Sequence, residues 1–391
     1  MDFRFTATEE RFREEVRGFL KRELPPDWGG EDSFAANEAD HALGLEFDRK
    51  LSRKGWLTMA WPKEYGGQSR SHIEQLIFNE ERGYFRAPSG GRHGIDLCGP
   101  TIMVCGTEEQ KREHLPYIAR AERIWCQGFT EPGSGSDLAS LQTRAEEDGD
   151  DFVLNGQKVF TTNGHYSDWC FVLARTDPKA PKHRGISYIL MDMKSPGVTI
   201  RPLWLMSGGR VNELFMDNVR VPKKNLVGDL NRGWYVAMTT LSFERSGIVH
   251  VAEARRTLEE LVEYARETRY NGKPLSQVPL VRSKLAERAV EVEVARMLAY
   301  RIAWMQSRDE QPQAEASMGK VFASELNQRL ANTGLQIMGL YGPLQEGSPW
   351  APLEGRLEHI YRAHILLTLV AGTSEVQRMI IATRGLRLPR D

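Results

Sequence analysis

The sequence predicts an α+β fold that is mostly α-helical, with its strands grouped in the middle of the chain. Apolar residues recur at helical spacing from Glu9 to about residue 121. Short β-rich runs separated by Gly, Pro and Asn-Gly turns fill residues 123–227, and long helical patterns return after Gly233. Because helices and strands are segregated rather than alternating, this order favours an α+β fold over a doubly wound sheet.

The first predicted helix runs from Glu9 to Leu24. Its apolar residues, which follow i, i+4, i+7 and i+8 spacing, are Phe12, Val16, Phe19 and Leu20. We expect the helix to end at Leu24, because Pro25 and Pro26 follow it and proline cannot continue a helix.

The central segment is predicted to contain several short strands. They cover residues 152–154, 159–161, 169–174, 186–191 and 198–200. Asn155-Gly156 predicts a hairpin turn whose second strand carries residues 158–162.

The C-terminal part is predicted to contain four long helices. They cover residues 234–270, 280–307, 314–338 and 357 to the end. Lengths near 25 residues suit an antiparallel bundle. Ser374-x-x-Gln377 predicts a capping box that opens the last helix. The N–H groups of that helix start would favour a nearby anion or electron-rich ring edge, and a helix cap without a ligand is an equally good interpretation.

Composition and charge restrict the classes of function. A net charge of −1 over 391 residues, with dispersed Lys and Arg, argues against nucleic-acid binding and against an anionic membrane surface. The N-terminus lacks an apolar signal region, and no apolar run is long enough to cross a bilayer, so we expect a cytoplasmic protein. Four cysteines without zinc-motif spacing and nine scattered histidines predict no metal site.

The most informative local feature is the small-residue loop 133–137, Gly-Ser-Gly-Ser-Asp. Glycine lets another surface approach the backbone, so such a loop can expose N–H groups and hydroxyls to a phosphate or a ring edge. The loop does not match the G-x-G-x-x-G motif of dinucleotide-binding sites, because Leu138 stands at the third glycine position and strands, rather than a helix, follow. Spacing alone leaves an ordinary surface turn equally open.

A second candidate is Glu244. It falls within an apolar stripe at three- and four-residue steps along the predicted helix 234–270. A buried Glu has a raised pKa and can act as a base near neutral pH. A buried ion pair that joins two helices is an equally good interpretation of Glu244 and its neighbour Arg245.

Three motifs together resemble the acyl-CoA dehydrogenase family. They are Thr130-Glu131-Pro132-Gly133-Ser134-Gly135-Ser136-Asp137, Leu154-Asn155-Gly156-Gln157-Lys158 and Gly372-Thr373-Ser374-Glu375-Val376-Gln377-Arg378. The resemblance covers nearly the whole chain. It implies an N-terminal α-domain at 1–122, a small β-barrel at 123–227 and a four-helix bundle at 228–391.

The resemblance also implies α,β-dehydrogenation of an acyl-CoA thioester, with a Glu that removes the α-proton. In many members that Glu directly precedes the C-terminal glycine motif, but here the position is Ala371. Phe243-Glu244-Arg245 is similar to the arrangement in members of the isovaleryl- and long-chain types, where the base lies on the first bundle helix. We therefore expect Glu244 to be the catalytic base and Arg245 to organise the acyl-CoA side.

The cofactor implied by the resemblance is FAD. The residues that match family flavin contacts are Gln127, Phe129, Thr130, Ser136, Phe160, Thr162, Thr373 and Glu375. Phe160 stands where the family usually has Trp, and either ring can cover an isoalloxazine. Ser136 would also contact the pantetheine or phosphate region of the acyl-CoA, although a simple turn serine is the alternative.

Family members also bind the FAD pyrophosphate and adenosine across a subunit interface. The matching positions here include Arg269, Gln336 and Gly339, but Thr268, Pro279 and Leu340 depart from the family pattern. Arg269 or Arg282 could supply the missing cation. Alternatively, a related subunit completes the flavin site in a hetero-oligomer.

The implied partners are an acyl-CoA substrate, an electron-transferring flavoprotein as electron acceptor and a second subunit in a homo- or hetero-oligomer. Because Ala371 leaves room where a carboxylate would stand, we expect a branched, cyclic or bulky acyl group. Two alternatives remain open. One is a flavin oxidase or monooxygenase on the same fold, and the other is a weakly active subunit that serves mainly in assembly.

Overall fold

The computed structural model describes residues 4–26, 28–30, 38–241 and 247–389. Helices predominate and the strands concentrate in a central sheet, which confirms the predicted mostly helical α+β class. The chain forms two compact units. A helical unit comprises Met1–Gly30, Ser71–Ala87 and Arg245–Asp391, and a sheet unit comprises Glu31–Arg70 and Pro88–Glu244. The division into three domains at residues 122 and 227 stays a prediction.

The described helices are distributed over both units. They are α1 (Ala7–Glu23), α2 (Glu38–Arg53), α3 (His72–Tyr84), α4 (Gly99–Cys105), α5 (Glu108–Ala119), α6 (Gly233–Thr240), α7 (Ile248–Glu267), α8 (Pro279–Gln306), α9 (Gln313–Met338), α10 (Arg356–Ala363) and α11 (Ser374–Ile380). Helix α1 begins at a reciprocal cap between Thr6 and Glu9, and it buries the four apolar residues predicted for its inner face. None of the helices within the described ranges combines the length and apolar character that a membrane span requires.

The sheet unit is built on one eight-stranded sheet. Its strands are β1 (Trp125–Gly128), β2 (Arg144–Asp148), β3 (Asp151–Lys158), β4 (Trp169–Arg175), β5 (Ile186–Asp192), β6 (Val198–Trp204), β7 (Arg210–Pro222) and β8 (Leu226–Val227). The strand order is β6-β7-β3-β2-β4-β5-β8, and β1 pairs in parallel with β4. Two short strands, β9 (Arg269–Tyr270) and β10 (Lys273–Pro274), form a hairpin in the helical unit.

The predicted hairpin at Asn155-Gly156 is wrong. Both residues lie inside β3, and the pairing of β3 with β7 shifts register between Leu154 and Gly156, which marks a β-bulge. A Cβ at Gly156 would lie 2.5 Å from Thr143 Oγ1, so the glycine serves a close approach of two segments. The turn instead lies between β2 and β3, where Asp148 pairs with Asp151.

The core of the helical unit joins the long helices α7, α8 and α9. Fully buried residues include Leu261, Leu326 and Ile248, and Leu76 from α3 and Leu357 from α10 pack into the same cluster. The predicted helices at 280–307 and 314–338 match α8 and α9 to within one residue at each end.

The single helix predicted for 234–270 is replaced by two helices, α6 and α7. Gly247 precedes α7 in a left-handed conformation (φ 60°), which interrupts any helix that reaches it from the N-terminal side. Within α6 the buried residues are Gly233, Val236, Ala237 and Thr240. Met238, which belongs to the apolar stripe expected along residues 234–270, is exposed. Periodicity therefore described α7 correctly but not α6.

The helix predicted from Leu357 to the end is interrupted as well. Helix α10 ends at Ala363 and α11 begins at Ser374. The residue that caps α11 is Thr373 rather than Ser374, because the Thr373 hydroxyl accepts the N–H of Val376. The Gln377 side chain donates to the Ala371 carbonyl at 2.8 Å instead of closing a capping box.

Candidate active site

A buried ion pair fixes the small-residue loop to the sheet. Lys158 at the end of β3 is fully buried, and its Nζ lies 2.8 Å from Glu131 Oε1 and 3.2 Å from the Phe129 carbonyl. The Glu131 carboxylate also accepts the backbone N–H groups of Gln142 (2.6 Å) and Thr143 (2.9 Å). Both carboxylate oxygens therefore have partners, and both ends of the loop are held.

The protonation states of this pair follow from burial and mutual attraction. Burial lowers the pKa of Lys158 to about 8, although the Glu131 carboxylate opposes the change. Burial acts to raise the pKa of Glu131, but the Lys158 charge and the donors from Thr143 and Gln142 outweigh it and hold this pKa below its usual range. Both groups are therefore charged at neutral pH.

The loop turns sharply between these anchors. Glu131 and Ser134 exchange two backbone hydrogen bonds, of 3.0 Å and 3.1 Å, which close a tight turn around Pro132 and Gly133. The residues beyond the turn, including Ser136, are exposed. Glycine and hydroxyl groups are thus presented to a ligand on a loop whose base is fixed.

Phe160 projects its ring from a strained backbone. Its φ is 58°, a left-handed conformation that is rare for a bulky residue, and the residue is 56% exposed. The flanking residues hold it there, because Val159 N–H donates to the Thr130 carbonyl and Thr161 N–H donates to the Asn212 carbonyl, each at 2.9 Å. Such strain is typical of ligand-binding positions.

The other predicted residues of the sheet unit lie close in sequence to these anchors. Gln127 is half-buried on β1, and Thr130 and Thr162 are both partly exposed. Phe129 is buried, with its ring packed edge-on against Phe171 and Tyr188. Phe129 can therefore reach a ligand only through its backbone.

Two hydroxyls beside these residues are buried without a hydrogen-bond partner within the described ranges. They belong to Ser134 in the loop and Thr161 after Phe160. Unpaired buried hydroxyls are costly, so they favour a ligand that supplies a partner.

The C-terminal motif forms a tight left-handed turn before α11. Ala371 and Gly372 have φ values of 53° and 83°, and Lys320 Nζ on α9 donates to the Gly372 carbonyl at 2.7 Å. This turn places Thr373 and Glu375 at the start of α11. Glu375 lines a polar cavity of about 370 Å³ together with Arg378, Arg329 and Ser374, whose buried hydroxyl is unpaired within the described part of the chain.

The positions matched to contacts across a subunit interface lie at the end of α9 and on the β9–β10 hairpin. The Gln336 side chain accepts a hydrogen bond from Lys284 of α8, and Arg269 donates to the Gly272 carbonyl at 3.1 Å. Gly339 ends α9 with φ 60° and ψ −130°, which only glycine adopts readily. The next residue, Leu340, is 96% exposed.

The structure does not describe the predicted base or its neighbour. Glu244 and Arg245 lie in the segment 242–246, outside the described residues. The remaining predicted residues divide between the two units. Gln127, Phe129, Thr130, Ser136, Phe160 and Thr162 belong to the sheet unit, and Arg269, Gln336, Gly339, Thr373 and Glu375 belong to the helical unit.

Family models cover almost the entire chain. The N-terminal, middle and C-terminal domain models of acyl-CoA dehydrogenases match residues 6–122, 126–219 and 231–386. The chain belongs to the acyl-CoA dehydrogenase family. It is therefore an oxidoreductase of a family whose members depend on FAD.

Individual acyl-CoA dehydrogenases align with this family member over its full length. Acyl-CoA dehydrogenase FadE26 of Mycobacterium tuberculosis is 37% identical over 400 residues, covering 100% of this chain and 99% of the relative. Among solved structures, the ChsE4-ChsE5 complex from Mycobacterium tuberculosis has a TM-score of 0.91 at 37% identity. The Tcur3481-Tcur3483 steroid acyl-CoA dehydrogenase has a TM-score of 0.90 at 36% identity, and both alignments cover 100% of each chain.

Sequence reasoning missed the residues that support this candidate site. Glu131 and Lys158 stand inside two of the three recognised motifs, so their opposite charges were a readable signal. Asn212 was not identified, although its side chain donates to the Thr161 carbonyl at 2.9 Å and contacts His165 Nδ1 at 3.0 Å. Nothing in the sequence marks Asn212, because its role depends on the register of β7.

Proposed function

We propose that this chain is an FAD-dependent acyl-CoA dehydrogenase that introduces an α,β double bond into an acyl-CoA thioester. The observation that carries the proposal is the exposed ring of Phe160, held in a strained conformation beside a loop anchored by Glu131 and Lys158. A preorganised aromatic ring next to backbone N–H groups and hydroxyls suits a flat cofactor with a polar edge.

The residues of the sheet unit fit a flavin ring. Phe160 offers an aromatic face, and Thr130, Ser136 and Thr162 offer hydroxyls on segments joined by the hydrogen bond from Val159 to Thr130. The buried hydroxyls of Ser134 and Thr161, which have no partner within the described ranges, lie on the same segments. Gln127 and the backbone of Phe129 complete the proposed contacts of the sheet unit. Thr373 and Glu375 are the proposed flavin contacts of the helical unit.

In the proposed mechanism Glu244 removes the α-proton of the acyl thioester onto its carboxylate, and Arg245 helps to orient the substrate. Bound FAD supplies the chemistry of a hydride acceptor for the β-hydrogen. Ser136 contacts the pantetheine or phosphate region of the acyl-CoA.

The proposed substrate carries a branched, cyclic or bulky acyl group. Ala371, in the turn before α11, leaves the space that a catalytic carboxylate occupies in many family members. A structural relative at 36% identity is described as a steroid acyl-CoA dehydrogenase, and a fused-ring acyl group belongs to the class inferred from Ala371.

The proposed quaternary state is a hetero-oligomer with a related subunit. Two of the positions expected to contact a pyrophosphate do not fit that group here, since Pro279 has no N–H and Leu340 offers an exposed apolar side chain. In a homo-oligomer every flavin would depend on these altered positions. A related subunit with intact contacts would complete the flavin-binding site of this chain. A structural relative is itself a complex of two named chains.

Anaerobic titration of the purified flavoprotein with a panel of acyl-CoA esters tests the proposal. We expect bleaching of the flavin absorbance by bulky or ring-bearing acyl-CoAs, and reoxidation by an electron-transferring flavoprotein. Rapid oxygen consumption with a substrate that lacks CoA, without bleaching by any acyl-CoA, would instead support an oxidase. A colourless chain that turns yellow only with a related subunit would support the hetero-oligomer.

A further inference from the structure

The segment that follows β3, residues 159–163, is held by a single residue of β7. The pairing of β3 with β7 ends at Lys158, which lies opposite Leu214. Two positions before Leu214, the fully buried Asn212 accepts the Thr161 N–H with its backbone carbonyl and donates to the Thr161 carbonyl from its side-chain Nδ2, both at 2.9 Å. Both backbone polar groups of Thr161 therefore bind one residue, and we call this pair of contacts the Asn212 clamp.

The Asn212 clamp lies between two residues in the left-handed conformation. Phe160 has a φ of 58° and Asn163 a φ of 57°. Such a backbone is costly for residues other than glycine, and it persists only where surrounding contacts impose it. Gly164 lets the chain turn back closely here, because a Cβ on it would lie 3.0 Å from Thr161 Cγ2. Without the clamp we expect the segment to relax and the Phe160 ring to change direction.

A second set of contacts fixes the orientation of the Asn212 amide. Its Oδ1 accepts a hydrogen bond from Arg210 Nε at 3.1 Å, and its Nδ2 lies 3.0 Å from His165 Nδ1. Because an amide nitrogen can only donate, His165 Nδ1 is the acceptor, and the neutral ring carries its proton on Nε2. Burial lowers the pKa of His165 to about 4, and the charges of Arg210 and His41 act in the same direction.

The His165 ring is held in turn by aromatic stacking. It packs against the Tyr166 ring with 3.9 Å between the centroids, and Tyr166 stacks almost parallel on His41 at 3.8 Å. His41 is buried on α2. A continuous row of contacts therefore runs from α2 through His165 to Asn212 and the segment that carries Phe160.

We propose that Asn212 is a positioning residue for the flavin site and that His165 orients it. Neither side chain touches the cofactor in this arrangement. Asn212 holds residues 159–163 so that the Phe160 ring and Thr162 are in place before FAD binds, and binding then does not have to order them. The role rests on the proposed function, since it requires a flavin beside Phe160.

Flavin affinity distinguishes positioning from a general structural role. Asn212→Ala should weaken FAD binding at least about tenfold, measured by quenching of FAD fluorescence. Asn225→Ala is the matched control, because Asn225 is also buried in the sheet unit, where its side chain donates to the Leu190 carbonyl at 2.9 Å. Both variants should have a lower melting temperature, but the control should keep the parental FAD affinity. Equal weakening of FAD binding in the two variants would refute positioning.

An isosteric variant tests the directions of the hydrogen bonds. Asn212→Asp keeps the shape of the side chain, but a carboxylate cannot donate to the Thr161 carbonyl, so FAD affinity should fall as in Asn212→Ala. The carboxylate beside Nδ1 should also raise the pKa of His165 above its parental value. NMR titration of the histidines measures this pKa, and His165→Phe identifies the signal. An unchanged His165 pKa would contradict the contact with Asn212.

Hydrogen exchange tests the Asn212 clamp independently of the cofactor. In the full-length chain without added FAD, Asn212→Ala should speed amide exchange in peptides that cover residues 158–166, whereas Asn225→Ala should not. Unchanged exchange in those peptides would refute the clamp alone. A parent chain that binds no FAD would instead refute the proposed function and, with it, the flavin role of Asn212.

Discussion

Lys158 and Glu131 form a buried ion pair, with 2.8 Å between Nζ and Oε1, that ties the loop after β1 to the last residue of β3. The same carboxylate receives two backbone N–H groups from the far end of the loop. One pair of side chains therefore fixes both the start and the end of the candidate cofactor loop. Its geometry predicts strong coupling between the two residues.

Removing either charge alone should destabilise the protein, because the other remains buried without a partner. We expect Glu131→Gln and Lys158→Met each to lower the free energy of unfolding by about 3–5 kcal/mol. The double variant should lose much less than the two single losses combined. Urea unfolding followed by circular dichroism measures this. Additive losses would show that the two residues act independently.

Acidification should weaken the same pair. Because the pKa of Glu131 is lowered in the folded state, its stabilising effect is complete above the pKa of the unfolded chain and is lost as the pH falls through the folded value. The parent protein should therefore lose unfolding free energy more steeply below about pH 5 than Glu131→Gln/Lys158→Met. Parallel slopes for the two proteins would contradict the assignment.

The bulge in β3 predicts a position that does not tolerate a side chain. A Cβ at Gly156 would lie 2.5 Å from Thr143 Oγ1 and 2.8 Å from Thr143 Cα. We expect Gly156→Ala to lower the unfolding free energy by about 1–3 kcal/mol, as overpacking does. Gly149→Ala is a matched control in the neighbouring turn, where an added Cβ meets nothing within 4 Å. Residue 149 has a positive φ of 59°, so the small loss of unfolding free energy in Gly149→Ala measures backbone strain alone.

Replacing the proposed base should separate chemistry from cofactor binding. Glu244→Gln removes proton abstraction but preserves size, so flavin content should be unchanged while the rate of flavin reduction by an acyl-CoA falls between about 10²- and 10⁴-fold. Anaerobic stopped-flow spectrophotometry measures the rate. Glu253→Gln on α7 is a control carboxylate. Near-parental reduction by Glu244→Gln would remove this residue from the mechanism.

The ring of Phe160 should contribute to flavin affinity. Phe160→Leu keeps an apolar side chain without an aromatic face, and we expect it to weaken FAD binding by about tenfold. Phe160→Trp should bind FAD with nearly the parental affinity. Quenching of FAD fluorescence on titration with each variant measures the dissociation constant. Equal affinity for the leucine and tryptophan variants would argue against stacking on this ring.

The sequence by itself determined the class of fold, the helices of the core and the family. Periodicity located α1, α8 and α9 closely, because the inner faces of these helices are buried along their length. The motifs around Glu131, Lys158 and Thr373 identified the family, because each motif is contiguous in sequence and can be recognised without knowing the tertiary structure.

The tertiary structure decided the features that depend on contacts between distant segments. Asn155-Gly156 reads locally as a turn, but pairing with β7 and the approach of Thr143 make it a bulge. The burial of Lys158 beside Glu131 and the role of Asn212 likewise depend on segments that are distant in the chain coming together. Local sequence encodes backbone preference and amphipathic faces, whereas register, burial of charge and strain at Phe160 are properties of the assembled core.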